Sequence, residues 1–471
     1  MVVMKVTLHS LYTRAVKHRY FVIPFTGLMA VYGIVWLAFY PGIMTPDSLD
    51  QWGQVLAGKY NDGSPYLSTI IMGMFRPIFD TPAWMGLIQM TFTAGLFSLG
   101  VWYGHRKGVR RWILALVLVV AVISPTILLY NVTLWKDILY SQLIVILTLL
   151  TAMMVIGKSH NRALYIVLGV LAASIAALRY NGIIFLVLPV LALLVFIRRN
   201  RRLIVWHIGT TVVVYMCLAF ALPHVLKVEP APIMMEWLRM KNVGAVYNDK
   251  TATITPEQHA IFEQVLSRAD WEEYYTCAHP DGLALREENG TRHKYTETLF
   301  ADVAKEQQWK DAVIGVALAN PKPIVWDKVC MAGYFMQRKP NVVVGISKRA
   351  DLPVVEEDSK LPKVKTAITE YAYFTHETPL LRLAHLSIGA YTAVFTVGAV
   401  AAFIRRKNGL LVFCILNLAN IAFTILVGFS SDFRYAYSAV LALPLLPIVW
   451  LADKGGKSRL RLALRHKKTA K

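Results

Sequence analysis

Apolar and polar positions in this chain are sorted into long blocks. Mostly apolar runs fall near positions 20–40, 83–103, 112–130, 138–156, 163–178, 183–197, 203–222, 381–404, 410–428 and 436–451. A helix needs ~20 such residues to cross a hydrocarbon core, so about ten membrane-spanning helices are expected. Two longer intervals break the series. The first, 41–82, is semi-apolar; its stretch 67–79 is too short to span and is broken by Arg76-Pro77, which suits an interfacial or re-entrant helix. The second, 223–379, is a polar insert of about 155 residues that carries most of the acidic side chains. Within it Thr255-Pro256-Glu257 reads as a helix start with Pro256 at the first helical position. Asn320-Pro321 opens another helix, with Ile324, Val325 and Val329 expected on one face.

The expected fold class is an all-α polytopic membrane protein with a mainly helical extracytoplasmic domain between spans seven and eight. Residues 1–222 form a seven-span module, 223–379 the helical domain, 380–453 a three-span module and 454–471 a basic tail. No internal repeat or low-complexity linker interrupts this plan. A hydrophobic content of 56% and a mean hydropathy of +0.46 exclude an ordinary soluble globular protein.

Charge sets the expected orientation. Basic residues cluster in alternate connections: the start of the chain through Arg19, then 105–111, 158–162, 198–202, 405–407 and 454–471. These hold about 25 Lys and Arg, so they and both termini are expected in the cytoplasm. The net charge of +21 is then mainly a topological signal with some attraction to anionic lipid, and nucleic acid is not an expected partner. The basic start followed by a long apolar run is expected to be a retained first span. Cys217 and Cys414 fall in spans as small hydrophobes. Cys277 and Cys330 fall in the insert, where an oxidising compartment would permit a disulfide; the pairing stays open.

Candidate chemistry collects where the outer loops meet the spans. Asp47 lies in Thr45-Pro46-Asp47-Ser48, just past the first span, and is followed by Asp50, Gln51, Trp52 and Gln54. Rigid prolines beside a carboxylate suggest a held polar site; a helix cap is the plainer use, and both can coexist. Each short outer loop carries one cation beside an aromatic. Lys136 sits in Trp135-Lys136-Asp137, Arg179 in Leu178-Arg179-Tyr180-Asn181-Gly182, and Arg434 in Asp432-Phe433-Arg434-Tyr435. One such cation usually snorkels to the interface, and Lys136 with Asp137 could be a surface pair worth little. Three of them opposite Asp47 suit a lipid phosphate, which takes charge-assisted hydrogen bonds at headgroup depth. Trp271, Tyr274 and Tyr275 could stack on sugars, though core packing is the commoner use. No His and Cys spacing suggests zinc, and no phosphate loop, dinucleotide fingerprint or nucleophile elbow is present. Asn131-Val132-Thr133 and Asn289-Gly290-Thr291 match a glycosylation pattern that often arises by chance.

The ordered set Pro46-Asp47-Ser48, Trp135-Lys136-Asp137, Arg179-Tyr180-Asn181-Gly182 and Asp432-Phe433-Arg434-Tyr435 resembles bacterial members of the type-C (GT-C) superfamily of multi-span glycosyltransferases, over about two thirds of the chain. The chain departs from it in two places. Asp-Ser stands where the mannosyl and aminoarabinosyl enzymes have Asp-Glu, and Ser64-Pro65 where relatives have His-Pro. The resemblance implies transfer of a sugar from a polyprenyl-phosphate donor to a glycan, lipid or protein acceptor at the outer face of a bacterial inner membrane. Asp47 would be the general base, with inversion at the anomeric carbon. Arg179, Lys136 and Arg434 would bind the donor phosphate. Asp50, Gln51, Trp52, Asp137, Asp432, Tyr435, Tyr180 and Asn181 would orient these groups or touch substrate. No metal ligand is assigned; the Asp-Ser departure weakens a metal role, and a divalent Mg or Mn cofactor stays open. Arg179→Ala is expected to impair donor use without unfolding the protein. Two rivals stand beside this reading. A lipid-linked glycan polymerase or ligase would depend on a residue such as His224 with Asp47 dispensable. A flippase or transporter would need charged or broken helices at the membrane midplane, whereas here charge crowds one face.

Overall fold

The computed structural model describes residues 18–197, 201–231, 233–284, 287–288, 291–292, 302–348, 352–428 and 430–455. The basic start before His18, most of the basic tail and Asn289 lie outside the described residues. The described chain is overwhelmingly helical, with one two-residue strand pair, Glu287–Glu288 against Thr291–Arg292. Six described helices are long and apolar enough to cross a membrane: Arg19–Ala38, Trp84–Arg106, Lys136–Gly157, Arg201–Leu226, Asn408–Val427 and Phe433–Ala452. The protein is therefore built as a multi-pass helical membrane protein.

Where the expected spans are interrupted, proline or a capping side chain accounts for it. The run 112–130 breaks into Arg111–Ile123 and Pro125–Val132, bent by 57°. Pro125 has no N–H to donate, and Ser124 Oγ instead accepts from Ile127 N at 3.4 Å, which opens a new helix. The run 183–197 begins as a 3-10 turn, Tyr180–Leu186, before Leu188–Phe196. The run expected from 381 starts as a helix only at Ile388, where Ser387 Oγ caps Ala390 N at 3.3 Å; Leu381–Ala384 is a separate 3-10 turn. Arg162–Leu178, Tyr180–Phe196 and Ile388–Ile404 are apolar but shorter than the six.

The Lys136–Gly157 helix is central: 89% of its apolar stretch is buried, against 22% for Arg19–Ala38 and 17% for Arg201–Leu226. The outer helices expose Ile23, Trp206, Val213 and Phe403, the apolar surface a hydrocarbon solvent would cover. Inside, polar side chains bond across helices, as expected where no water competes. Gln142 Nε2 donates to Thr93 Oγ1 at 2.8 Å, and Thr93 Oγ1 donates to Asn131 Oδ1 at 2.6 Å. Asn131 is buried, so no glycan could be attached there. Cys414 is buried as expected, whereas Cys217 is exposed on a π-helical turn, Cys217–Ala221.

The insert is mainly helical, as its composition implies. Pro256–Glu263 begins where expected, with Thr255 and Gln258 capping each other. Pro321–Gln337 also begins where expected, and Ile324 packs against the insert's core, but the rest of the inward face differs: Pro323, Asp327, Met331 and Phe335 are buried, while Val325 and Val329 are exposed. A buried ion pair decides this face, because Lys241 Nζ lies 3.3 Å from Asp327 Oδ2 and Tyr275 Oη donates to Asp327 Oδ1 at 2.8 Å. Trp271 fills the core of the insert and stacks on Tyr247, so packing is its use. Within the first long connection, Tyr66–Gly73 is a short helix; Arg76 then folds back, donating to Val55 O at 2.8 Å and pairing with Asp80 at 3.1 Å.

Candidate functional site

Asp47 enters the site through a tightly placed turn. Gly42 has φ +136°, and a Cβ there would lie 2.8 Å from Leu134 Cγ, so only glycine lets the chain pass. The next residues are extended and bonded on both flanks. Ile43 N donates to Val132 O at 2.8 Å, Leu134 N donates to Ile43 O at 2.9 Å, and Ser347 N donates to Met44 O at 2.8 Å. Trp135 Nε1 donates to Thr45 Oγ1 at 2.6 Å. These bonds bring the start of the Pro46–Ala57 helix against the start of Lys136–Gly157. Pro46 occupies the first helical position and Asp47 the first turn, where a carboxylate suits the exposed N–H groups.

The four sequence-distant segments meet as an ion network. Arg434 is its hub: Nη1 lies 2.8 Å from Asp47 Oδ2, and Nε lies 3.1 Å from Asp432 Oδ2 and 3.4 Å from Asp137 Oδ2. Arg179 pairs with Asp137 and donates from Nε to Asn181 Oδ1 at 3.0 Å. Lys136 Nζ donates to Ser64 Oγ at 3.2 Å and stands 4.0 Å from Asp47 Oδ2. The Lys136–Asp137 surface pair suggested by the sequence does not form, because Asp137 turns inward to the two arginines. Aromatic faces complete the wall: the Arg179 guanidinium lies 4.1 Å from the Tyr435 ring centre and that of Arg434 5.1 Å from Trp135.

The carboxylates differ in how firmly they are held. Asp137 is 1% accessible, whereas the Asp47 side chain is 41% accessible. Partial burial favours the neutral Asp47 acid, but the charges of Arg434, Lys136 and Arg179 outweigh it and hold the carboxyl down to about 2. Asp47 is therefore ionised at neutral pH, the state a proton acceptor requires.

Buried amides beneath the cluster set its geometry. Asn420 Nδ2 donates to Tyr435 O at 3.1 Å and to Ser438 Oγ at 3.1 Å, while its Oδ1 accepts from Tyr140 Oη at 2.9 Å. One turn on, Thr424 Oγ1 accepts from Asn181 Nδ2 at 3.0 Å. The Asn408–Val427 helix thus fixes both the Arg434 turn and the Arg179 turn. Its sequence signal was Asn417, Asn420 and Thr424 at helical spacing within an apolar span.

The remaining expected residues divide. Asp137, Asp432, Tyr435 and Asn181 join the network. Gln51 and Trp52 do not: Gln51 Nε2 donates to Ser68 Oγ at 2.6 Å and Trp52 packs into the apolar core under its helix. Asp50 lies on the exposed face and accepts from Gln54 Nε2 at 3.0 Å. Tyr180 is largely exposed, its Oη donating to Asp62 O at 2.8 Å. His224 is an exposed residue of the Leu222–Leu226 turn, with no bond to the network among the described residues. Arg179 is one of two arginines on a buried carboxylate, so Arg179→Ala is expected to cost some stability as well as donor use. No group of three or more His, Cys, Asp or Glu side chains poised for a metal ion is found among the described residues. Each network carboxylate faces an arginine, a poor fit for Mg or Mn.

The insert grips the loop that carries Arg434. Lys328 Nζ donates to Gly428 O, Arg338 Nε donates to Ser431 O at 2.9 Å, and Ser431 N donates to Ala278 O at 2.8 Å. Cys277 and Cys330 are disulfide-bonded, which ties the Ala278 segment to the Pro321–Gln337 helix that bears Lys328. Cys277→Ala with Cys330→Ala is expected to destabilise the insert by about 2–4 kcal/mol. Thermal unfolding in detergent checks this, and an unchanged midpoint would show that packing alone holds the clamp.

No family model matches the chain, and no match is found among curated proteins or solved structures.

Proposed function

We propose that the protein is a membrane glycosyltransferase that moves a sugar from a polyprenyl-phosphate donor to an acceptor hydroxyl at the extracytoplasmic face of a bacterial inner membrane. The observation that carries this reading is the pairing of an accessible carboxylate, Asp47, with Arg434 Nη1 at 2.8 Å, beside Lys136 and Arg179 at the ends of apolar helices. In this reading the six long helices, the bent pair and the three shorter apolar helices make ten crossings in a GT-C-like arrangement, with both termini in the cytoplasm. All four charged turns then fall on one membrane face, and the insert covers them.

The chemistry follows from the placement. Asp47 accepts the acceptor's hydroxyl proton as that oxygen attacks the anomeric carbon. The new carbon–oxygen bond forms as the bond from the anomeric carbon to the phosphate oxygen breaks. The polyprenyl phosphate leaves with the electron pair and gains one negative charge. Arg434, Lys136 and Arg179 stabilise that charge in a partly dry site, where fixed cations act more strongly than in water. Attack from the side opposite the phosphate inverts the anomeric centre.

The test is turnover of a panel of polyprenyl-phosphate sugars by protein purified into nanodiscs. Release of polyprenyl phosphate from at least one donor, dependent on an acceptor, is the expected result. Failure to bind or turn over any member of a panel spanning hexoses, pentoses and amino sugars would remove the assignment.

A further inference from the structure

The cations of the proposed donor site are already occupied by the protein's own carboxylates. Lys136, Arg179 and Arg434 face Asp47, Asp137 and Asp432. A phosphate that docks on Nη1 or Nε of Arg434 must replace one of them, and their anchoring decides which one yields. Asp137 is 1% accessible and lies between two arginines. Asp432 is held twice, by Nε of Arg434 at 3.1 Å and by the backbone N of Arg434, which donates to its Oδ1 at 3.1 Å. Asp47 is 41% accessible, and its one hydrogen-bond donor among the described residues is Arg434 Nη1. Lys136 is the second cation an incoming anion would meet. It is nearly buried, yet it hydrogen-bonds a neutral hydroxyl, Ser64 Oγ, and reaches Asp47 only at 4.0 Å. A buried ammonium gains most from a full counter-ion brought to hydrogen-bonding distance.

We infer that the donor's phosphate takes the place of Asp47 at Arg434 and Lys136, so that the base is released for the acceptor proton only once the donor is seated. This rests on the glycosyltransferase reading and adds to it an order of binding, donor before acceptor, and a safeguard. While it is paired with Arg434, Asp47 is a poor proton acceptor. With a phosphate on Arg434 the carboxylate turns to its open side and recovers ordinary basicity. The groups that face Asp47 are Arg434, Lys136 and Arg179, with Asp137 and Asp432 behind Arg434 and Thr45 and Ser64 alongside. A phosphodiester donor keeps its single charge throughout the range in which a carboxylate titrates, so it does not move the profile itself.

Two readouts test this in nanodiscs. The first is affinity for polyprenyl phosphate without a sugar, measured on wild type, Asp47→Asn and Asp50→Asn. Asp50 lies on the same helix and its charge also acts on Lys136, so its substitution makes the same charge change near the cations without freeing Arg434. Asp47→Asn is expected to bind about tenfold tighter than wild type, and Asp50→Asn to change affinity by about twofold or less. Equal tightening in both variants, or none in Asp47→Asn, overturns the inference. The second readout is the pH profile of wild type. kcat/KM for donor reports the free enzyme and kcat the complex, so the acid limb of kcat should lie at higher pH than that of kcat/KM. Coincident limbs overturn the displacement while leaving an Asp47-dependent transferase intact. If no variant binds polyprenyl phosphate and none turns over a donor, the glycosyltransferase reading falls and the displacement falls with it.

Discussion

Asp47→Asn is expected to lower sugar transfer by about 10²- to 10⁴-fold, the range that a positioned general base contributes. The substitution keeps the size of the side chain and its place in the first helical turn, but an amide cannot take the acceptor's proton. Asp47 is 41% accessible, and Arg434 keeps Asp432 and Asp137 when it goes. The folded protein should therefore survive, with a modest drop in thermal midpoint at neutral pH. Asp47's own contribution to stability has a definite sign. Its carboxyl is held down to about 2 in the folded protein, against about 3.9 in an unfolded chain. That contribution is fully present above about pH 4 and is lost as pH falls toward 2. Wild type and Asp47→Asn should thus converge in stability on acidification. Measurement of kcat on one donor, beside an unfolding scan of both proteins, checks the pair of effects. Turnover that persists in Asp47→Asn would move the base elsewhere, with Asp137 the next carboxylate in line.

Arg434→Met should damage both function and fold. One guanidinium bridges three carboxylates that arrive from three different segments: Asp47, Asp137 and Asp432. Removing it leaves Asp137, at 1% accessible, with Arg179 alone, and a buried pair broken on one side typically costs about 3–5 kcal/mol. Loss of a preformed positive charge at the leaving phosphate should lower kcat by a further ~10²- to 10³-fold. Arg434→Lys separates the two effects. It restores the charge, but an ammonium is a point donor and cannot hold three carboxylates at once as the planar fork does. Stability should recover in part while turnover stays low. Unfolding scans together with single-donor kinetics decide it; an Arg434→Lys protein with wild-type kcat would mean that charge alone suffices and that the bridging geometry is incidental.

The insert shows where sequence pattern stops being informative. Capping at Thr255 and Pro256 was legible because it is local: an N-cap side chain and an N1 proline act within one turn. The inward face of Pro321–Gln337 was legible only in part, since hydrophobicity alone groups Ile324 with Val325 and Val329, and of the three only Ile324 packs inward. A buried Lys241–Asp327 pair with Tyr275 rotates the helix the other way, and those partners lie far off in sequence. Gln51 and Trp52 were misplaced for a similar reason. Gln51, four residues on, shares nearly the same helix face as Asp47 but sits a turn further along, where Ser68 of another segment takes its amide; Trp52 is turned about 140° from Asp47, into the apolar core.

Apolar run length, the charge alternation of the connections and the helix starts were determined by sequence alone, because each depends on solvent transfer or on bonds within a few residues. So was the list of charged turns, since a cation beside an aromatic at a helix end stands out against an apolar background. Their convergence was decided by tertiary structure. Asp47 and Lys136 adjoin because backbone bonds pair Ile43 with Val132 and Leu134. Arg179 and Arg434 adjoin because Thr424 and Asn420 of one helix hold both turns. Which cation meets which carboxylate is likewise a matter of three-dimensional placement. Coulomb attraction falls with distance through space and takes no account of separation along the chain, so the network around Arg434 exists only once the helices have packed.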